Sequence, residues 1–245
     1  MLYLGRYVLF LRELIIRREK FRSYLTLFIE ECVKVGTNSV FVVSLVSAFL
    51  GAVITLQTAS NLTAPYIQDF MVALVVRELT ILGVAPTVIA LVLAGKVGSH
   101  TAGELGTMRI TEQIDALEVM GINATSYLVL PKVLASTLMY PLLAILATFL
   151  SMLGGYLIGV LTGLVSSTDY IYGLRIQFNE FSITYALTKS TVFGFVVSSV
   201  SAFKGFYIRG GALEVGKAGT GAVTNSCIAI LSGDYILTRI FQNVW

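Results

Sequence analysis

The chain has 245 residues, 56% hydrophobic and 13% charged, with a net charge of +3 and a mean hydropathy of +0.83. Soluble domains use roughly 45–50% apolar and about 25% charged residues, so a water-soluble fold is excluded because it could not hide this much apolar surface. Basic surfaces interleaved with aromatic residues are missing, so no nucleic-acid partner is expected.

Uncharged apolar runs of about 18 residues or more recur, the length that crosses a hydrocarbon core of roughly 30 Å. They lack the period-2 alternation of barrel strands, and the expectation is an all-α integral membrane protein. Residues 1–22 place Leu4, Tyr7, Val8, Leu11, Leu14 and Ile15 on one helical face and Arg6, Glu13, Arg17 and Lys20 on another. That pattern predicts an amphipathic helix at the membrane surface, or else a topology signal with no separate role. No short apolar core with a small-residue cleavage site opens the chain, so no removable signal peptide is expected.

Five spans follow, at about 39–58, 70–98, 131–165, 181–203 and 222–241. The second carries Arg77, Glu78 and Pro86 and should bend or unwind at the proline. The third, opening at Pro131, is longer than one crossing needs, so it should tilt, kink at Pro141 or project into the cytosol. Its Gly155, Gly159 and Gly163 repeat every four residues, a stripe at which helices approach closely. Polar or Gly-rich connections separate the spans, the loop at 61–69 being short and the segment 99–126 the only long one.

Seven of the 17 Lys and Arg fall in the first 38 residues. With the N-terminus in the cytoplasm, that side holds thirteen of them and the opposite side only Arg175 and Arg239, so the charge bias places the C-terminus outside. Arg77, Glu78, Lys189 and Asp234 lie within spans, where an unpaired charge costs at least roughly 2.5–3.5 kcal/mol. Pairing Lys189 with Asp234 or Glu78 would relieve that cost, either to fix helix register or to form the polar wall of a cavity.

The sequence offers little that could carry catalysis. Gly211, Gly216 and Lys217 nearly spell a phosphate-binding loop, but Ala218 replaces the hydroxyl residue and no strand precedes it. Cys32 and Cys227 read as small buried hydrophobes, and the lone histidine, His100, as a loop residue. No metal or catalytic residue is expected, and no cofactor bound by this chain.

The long polar loop begins with a capping-box pattern, Thr101 to Glu104. Ile110, Ile114 and Leu117 then share one face, with Arg109, Glu112, Asp115 and Glu118 elsewhere, which predicts one amphipathic helix over 101–121. Such a helix either packs on its own bundle or docks in a partner's groove.

Here the residues themselves are telling. Ala94-Gly95-Lys96-Val97-Gly98-Ser99, and then the run from Ala102-Gly103-Glu104-Leu105-Gly106-Thr107-Met108-Arg109 through Ile110-Thr111-Glu112-Gln113-Ile114-Asp115 to Ala116-Leu117-Glu118-Val119-Met120-Gly121, closely resemble the signature of the MlaE/YrbE permease family. Likeness extends over most of the chain, through Leu187-Thr188-Lys189-Ser190 and Ser232-Gly233-Asp234-Tyr235. The resemblance implies one permease domain over 1–245 in the bacterial inner membrane, the transmembrane subunit of an MCE-type ABC system that moves phospholipids or related lipids between inner and outer membranes. It implies a homodimer, two cytosolic ABC ATPase subunits that carry the ATP and magnesium, and an oligomeric periplasmic MCE-domain protein. By the same match 104–121 is the cytoplasmic coupling segment, with Glu104, Arg109, Glu112, Asp115, Leu117 and Glu118 contacting the ATPase. Lys189 and Asp234, with Arg77 and Glu78, would line a lipid cavity. One departure concerns the family's continuous Arg-Glu-Leu-Gly-Pro, because here Arg77-Glu78-Leu79 is separated from Pro86 by six residues. Composition and topology alone also fit an ion-driven secondary transporter, or a non-transporting scaffold for a periplasmic partner; neither accounts for a docking helix in the long loop.

Overall fold

The computed structural model describes residues 2–16, 21–62 and 68–242, and among them every regular element is a helix. Arg17, Lys20 and most of the 61–69 loop lie outside the described residues, as do the side chains of Leu4 and Ile15. Among the described residues, four helical runs are long and apolar enough to cross a membrane: Tyr24–Asn61, Phe70–Ile110, Ala124–Leu161 and Glu180–Phe206. Helices are the expected solution, since in lipid each backbone N–H and C=O must be satisfied within the segment.

In chain order the elements are α1 (Leu2–Ile16), α2 (Phe21–Cys32), α3 (Asn38–Asn61), α4 (Phe70–Leu79), α5 (Ile89–Leu93), α6 (Ser99–Ile110), α7 (Gln113–Val119), α8 (Ala124–Leu161), α9 (Ser167–Arg175), α10 (Glu180–Phe206) and α11 (Ala212–Gln242). Wider π-helical turns at Val33–Thr37, Thr80–Val88 and Ala94–Gly98 join α2 to α3, α4 to α5 and α5 to α6. The middle one contains Pro86. Proline has no N–H and its ring collides with the carbonyl four residues back, so the backbone widens there instead of breaking.

Three expected boundaries change. α8 starts at Ala124, not at 131, because the Asn123 side chain accepts the Ser126 N–H at 3.3 Å and so caps the helix a full two turns earlier. It runs through both Pro131 and Pro141 without interruption. At its other end Gly163 is no longer helical: with φ +70° it closes the helix, its N–H bonding Val160 O and the Leu164 N–H bonding Gly159 O. Residues 166–180, expected as a polar connection, hold α9, capped where the Ser166 hydroxyl accepts the Asp169 N–H at 3.2 Å.

The predicted fifth span is also a helix, but of mixed character. α11 has 31 residues, about 46 Å at 1.5 Å per residue. Gly219, Ala222, Ser226 and Ile230 form its buried face, while Ile228, Leu231, Tyr235 and Ile236 are exposed. With Glu214, Lys217, Asp234 and Arg239 along its length, it falls outside the four strongly apolar runs.

The backbone divides into two compact units: Met1–Ser39 with Ala90–Tyr140 and Thr191–Trp245, and Val40–Ile89 with Pro141–Ser190. The core of the first gathers Phe10 and Leu14 of α1, Leu105 of α6, Ile114 of α7, Val133 of α8 and Phe203 of α10. α1 therefore does not turn its whole apolar face to lipid. Tyr7, Phe10, Leu11 and Leu14 pack on protein, and Val8 and Leu9 remain exposed. The core of the second joins Val72, Ala73 and Val76 of α4 to Val165 and Tyr170, so α9 lies on α4.

Within the first unit the N-terminal helix meets α7 and the end of α10, with Phe10 against Phe203, Phe206 and Tyr207. Within the second the start of α4 meets α9, where Phe70 and Tyr172 stack edge to face.

Candidate functional site

The expected single helix over 101–121 is two helices. α6 ends at Ile110, Glu112 adopts a left-handed conformation (φ 60°), and α7 begins at Gln113. Thr107 and Thr111 weaken the helix before the break by donating their hydroxyls to the carbonyls of Gly103 and Thr107, each at 2.8 Å. The break turns Ile114 back into the core that holds Leu105, both fully buried. Arg109 Nη1 donates to Asp115 Oδ1 at 2.7 Å across the turn, so two of the expected ATPase contacts hold each other. Leu117 packs half-buried on the same core.

What the loop presents outward is small and specific. α7 closes at Gly121 (φ +80°), and its tip carries Val119 and Met120, 89% and 65% exposed, beside the exposed Glu112 and Glu118. Tyr207, just beyond α10, sits among the surrounding charges. Burial pushes its phenol up, Glu13 and Glu118 push the same way, and Arg109 and Arg6 oppose. It also stacks edge to face on Phe10 and Phe203, which ties this surface to α1.

Glu104 is not part of that tip. Thr101 lies inside α6 and caps nothing, while the Glu104 carboxylate accepts from Lys34 at 3.2 Å and from Lys132. Lys132 also donates to Glu31 at 2.7 Å, and Lys34 donates to Glu31 at 2.9 Å. Sequence reasoning missed Glu31, Lys34 and Lys132 as a group; the only local signal was the i,i+3 pair Glu31 and Lys34. His100 has a carboxylate one turn on, Glu104 at 3.9 Å, and is otherwise exposed.

Arg77 is 2% exposed and saturated. Nε and Nη2 donate to Glu78 Oε1 at 3.1 and 2.7 Å, Nη1 to the carbonyls of Leu174 and Ile176 at 3.0 and 2.7 Å, and Nη2 to Gln177 O at 3.2 Å. Its carbon centre lies 5.6 Å from the Phe178 ring centre. The guanidinium fork therefore pins the chain between α9 and α10, where Gln177 has φ 50°.

Lys189 on α10 is 2% exposed, with its ammonium 5.1 Å from the Tyr185 ring centre and 3.2 Å from the carbonyl of Leu82. That acceptor has a physical meaning, because Leu82 O is the carbonyl that residue 86 would bond in a regular helix, and Pro86 has no N–H to offer. A double-mutant cycle of Lys189→Met and Pro86→Ala should show a coupling of about 0.5–2 kcal/mol in thermal unfolding in detergent. Simple additivity would mean that the two residues do not share this carbonyl. Asp234 lies half-buried on α11, next to Gly233, which faces Phe193 of α10.

The glycine stripe is half right. A Cβ on Gly155 would meet Thr55 Oγ1 at 2.4 Å and Tyr170 OH at 2.5 Å, one on Gly159 would make ordinary contact, and one on Gly163 would meet nothing. The tightest positions are ones the sequence did not flag: Gly51 against the Ser151 carbonyl, Gly154 against the Ala48 carbonyl and Gly173 against the Phe70 carbonyl. Lys217, in the lookalike of a phosphate loop, is inside α11 and paired with Glu214 at 2.7 Å.

All-helical architecture and, among the described residues, four apolar runs of membrane-crossing length define an α-helical membrane protein. A protein-family model described as permease MlaE matches residues 28–240. The chain belongs to the MlaE permease family. It is 36% identical over 221 residues to a probable ABC transporter permease protein of Rickettsia prowazekii, covering 90% of this chain and 85% of that one. A probable ABC transporter permease of Synechocystis is 33% identical over 214 residues, 86% and 80% of the two chains. The chloroplastic protein trigalactosyldiacylglycerol 1 of Arabidopsis thaliana is 31% identical over 226 residues, 87% of this chain and 61% of that one.

Proposed function

We propose that this permease subunit moves phospholipids or related lipids, driven by separate ABC ATPase subunits that bind ATP and magnesium. It acts as a homodimer in the bacterial inner membrane, N-terminus cytoplasmic and C-terminus periplasmic, with an MCE-domain protein on the periplasmic side. The observation that carries the reading is the α7 tip. Val119 and Met120 stand exposed next to Glu118 at the end of α7, with Glu112 exposed at its start, on a base fixed by the buried Ile114 and the Arg109–Asp115 pair. Exposed apolar anchors with charges on the same short helix suit a groove on a partner, and the permease names of the relatives supply the kind of partner: an ATPase. A lipid substrate is supported by the name of the Arabidopsis relative, which contains a galactolipid, and by the resemblance on the residues above. Lys189, Asp234, Arg77 and Glu78 would act on that lipid through the helices they hold in place.

Replacing both anchors, Val119→Asp with Met120→Asp, should weaken ATPase association by about tenfold or more, and Glu112→Arg should lower transport per ATP while leaving permease dimers intact. The measurement is transfer of fluorescent phospholipid from vesicles carrying the permease with its ATPase. ATP-independent transfer by the permease alone would instead favour an ion-driven transporter, and no transfer under any condition would favour a scaffold.

A further inference from the structure

The most heavily buried charges near the coupling loop belong to the Glu31–Lys34–Glu104–Lys132 cluster, which the docking tip does not use. Lys132 is 4% and Glu31 8% exposed, whereas the Lys34 and Glu104 side chains are more open. Each member comes from a different place: Glu31 from α2, Lys34 from the π-helical turn after it, Glu104 from α6 and Lys132 from α8. Lys132 bonds carboxylates on two of these elements at once.

Two carboxylates and two ammonium groups balance, so the cluster carries no net charge and needs no ion. Its stabilising value is small in principle, because a buried ion pair roughly breaks even against apolar side chains of the same size. What such a network does supply is a fixed register between the elements it joins.

The elements beside it are built to bend. One π-helical turn, Val33–Thr37, contains Lys34, and another, Ala94–Gly98, ends six residues before Glu104. The two are tied together, since the Lys96 ammonium of the second donates to the carbonyl of Asn38 at the end of the first. Gly36 in the first turn faces Met139 of α8, where a Cβ would come within 2.8 Å of the sulfur. π-helical turns interrupt the regular hydrogen-bond ladder, which is why bends concentrate there.

We propose that Lys132 is the positioning residue that carries motion of the α6–α7 loop into α8, with the paired π-helical turns as the joints on either side. Held by Glu31 and Glu104, it makes α8 follow α6; without it, α6 and the loop flex at the joints and α8 stays behind. The proposal rests on the ATP-driven reading above.

The test uses the full complex of permease, ATPase and periplasmic partner in vesicles of phosphatidylethanolamine and phosphatidylglycerol with a fluorescent phospholipid as probe. Three quantities are read: ATP hydrolysed, probe moved per ATP, and melting temperature. Glu31→Gln with Lys132→Met removes the two most buried charges and leaves the Lys34–Glu104 pair. Its melting temperature and ATP hydrolysis should stay close to the unmodified complex while probe moved per ATP falls on the order of tenfold. Lys132→Arg, which keeps the charge, should restore most of the yield. Lys34→Met, at the half-exposed edge, provides a second variant should the first not fold, with an expected fall of about threefold. Unchanged yield per ATP in the variants that fold overturns the proposal, as does a fall that only tracks lost melting temperature. An unmodified complex that moves no probe with ATP refutes the transport reading itself.

Discussion

Arg77→Ala should destabilise the protein by about 3 kcal/mol or more, because it removes a buried guanidinium that serves three carbonyls and the part-exposed Glu78. The loss has two parts. Glu78 keeps its charge without the guanidinium, and the carbonyls of Leu174, Ile176 and Gln177 lose a donor each. The strain at Gln177, with φ 50°, is then unsupported. Arg77→Lys should recover only part of the loss, because an ammonium cannot present donors in a planar fork to Glu78 and to the three carbonyls together. Thermal unfolding in detergent gives the magnitude, and hydrogen exchange over 174–178 gives the location. Full stability in Arg77→Ala, or exchange that rises evenly over the chain, would show that the clamp is not what holds this segment.

The second large effect is at the α3–α8 contact, where neighbouring glycines should respond with opposite sign. In Gly154→Ala the new Cβ would stand 2.2 Å from the Ala48 carbonyl oxygen, and in Gly51→Ala 1.8 Å from that of Ser151. Both obstacles are backbone atoms of a helix, so the helices must part, with a loss of about 1–3 kcal/mol or more. In Gly159→Ala the nearest atom is Thr55 Cγ2 at 3.4 Å, an ordinary contact. That change should be neutral or stabilising by up to about 1 kcal/mol, because alanine favours the helix. Melting temperatures of the three variants decide it. Equal tolerance at Gly154 and Gly159 would mean the helices are not packed backbone to backbone.

These two cases show where reading the chain succeeds and where it stops. A repeat of glycines every four residues does mark close helix packing, and Gly155 lies in it. It cannot say which glycine faces the neighbour's backbone, since that depends on how Ala48 and Gly51 on α3 are placed. The same repeat misassigned Gly163, a helix-ending residue whose spacing matches the stripe by coincidence. The capping-box pattern at Thr101 misled for a related reason. The Glu104 carboxylate had partners in Lys34 and Lys132, and an uninterrupted helix from the span before it left no free N-terminus to cap. By contrast the Ser166 and Asp169 spacing is a local signal for the start of α9.

The membrane class and the helical architecture followed from hydropathy and charge. Those properties act within a window of one helix, so they survive without knowledge of the fold. The fates of the buried charges did not follow, because their partners sit far along the chain: Leu174 is 97 positions from Arg77, Glu31 is 101 from Lys132, and Leu82 is 107 from Lys189. A charge in an apolar interior must find a partner, and that much the chain states by itself. Which partner it finds is decided only when the helices pack: Arg77 meets the carbonyls of Leu174, Ile176 and Gln177, Glu104 meets Lys34 and Lys132, and Lys189 meets the carbonyl of Leu82.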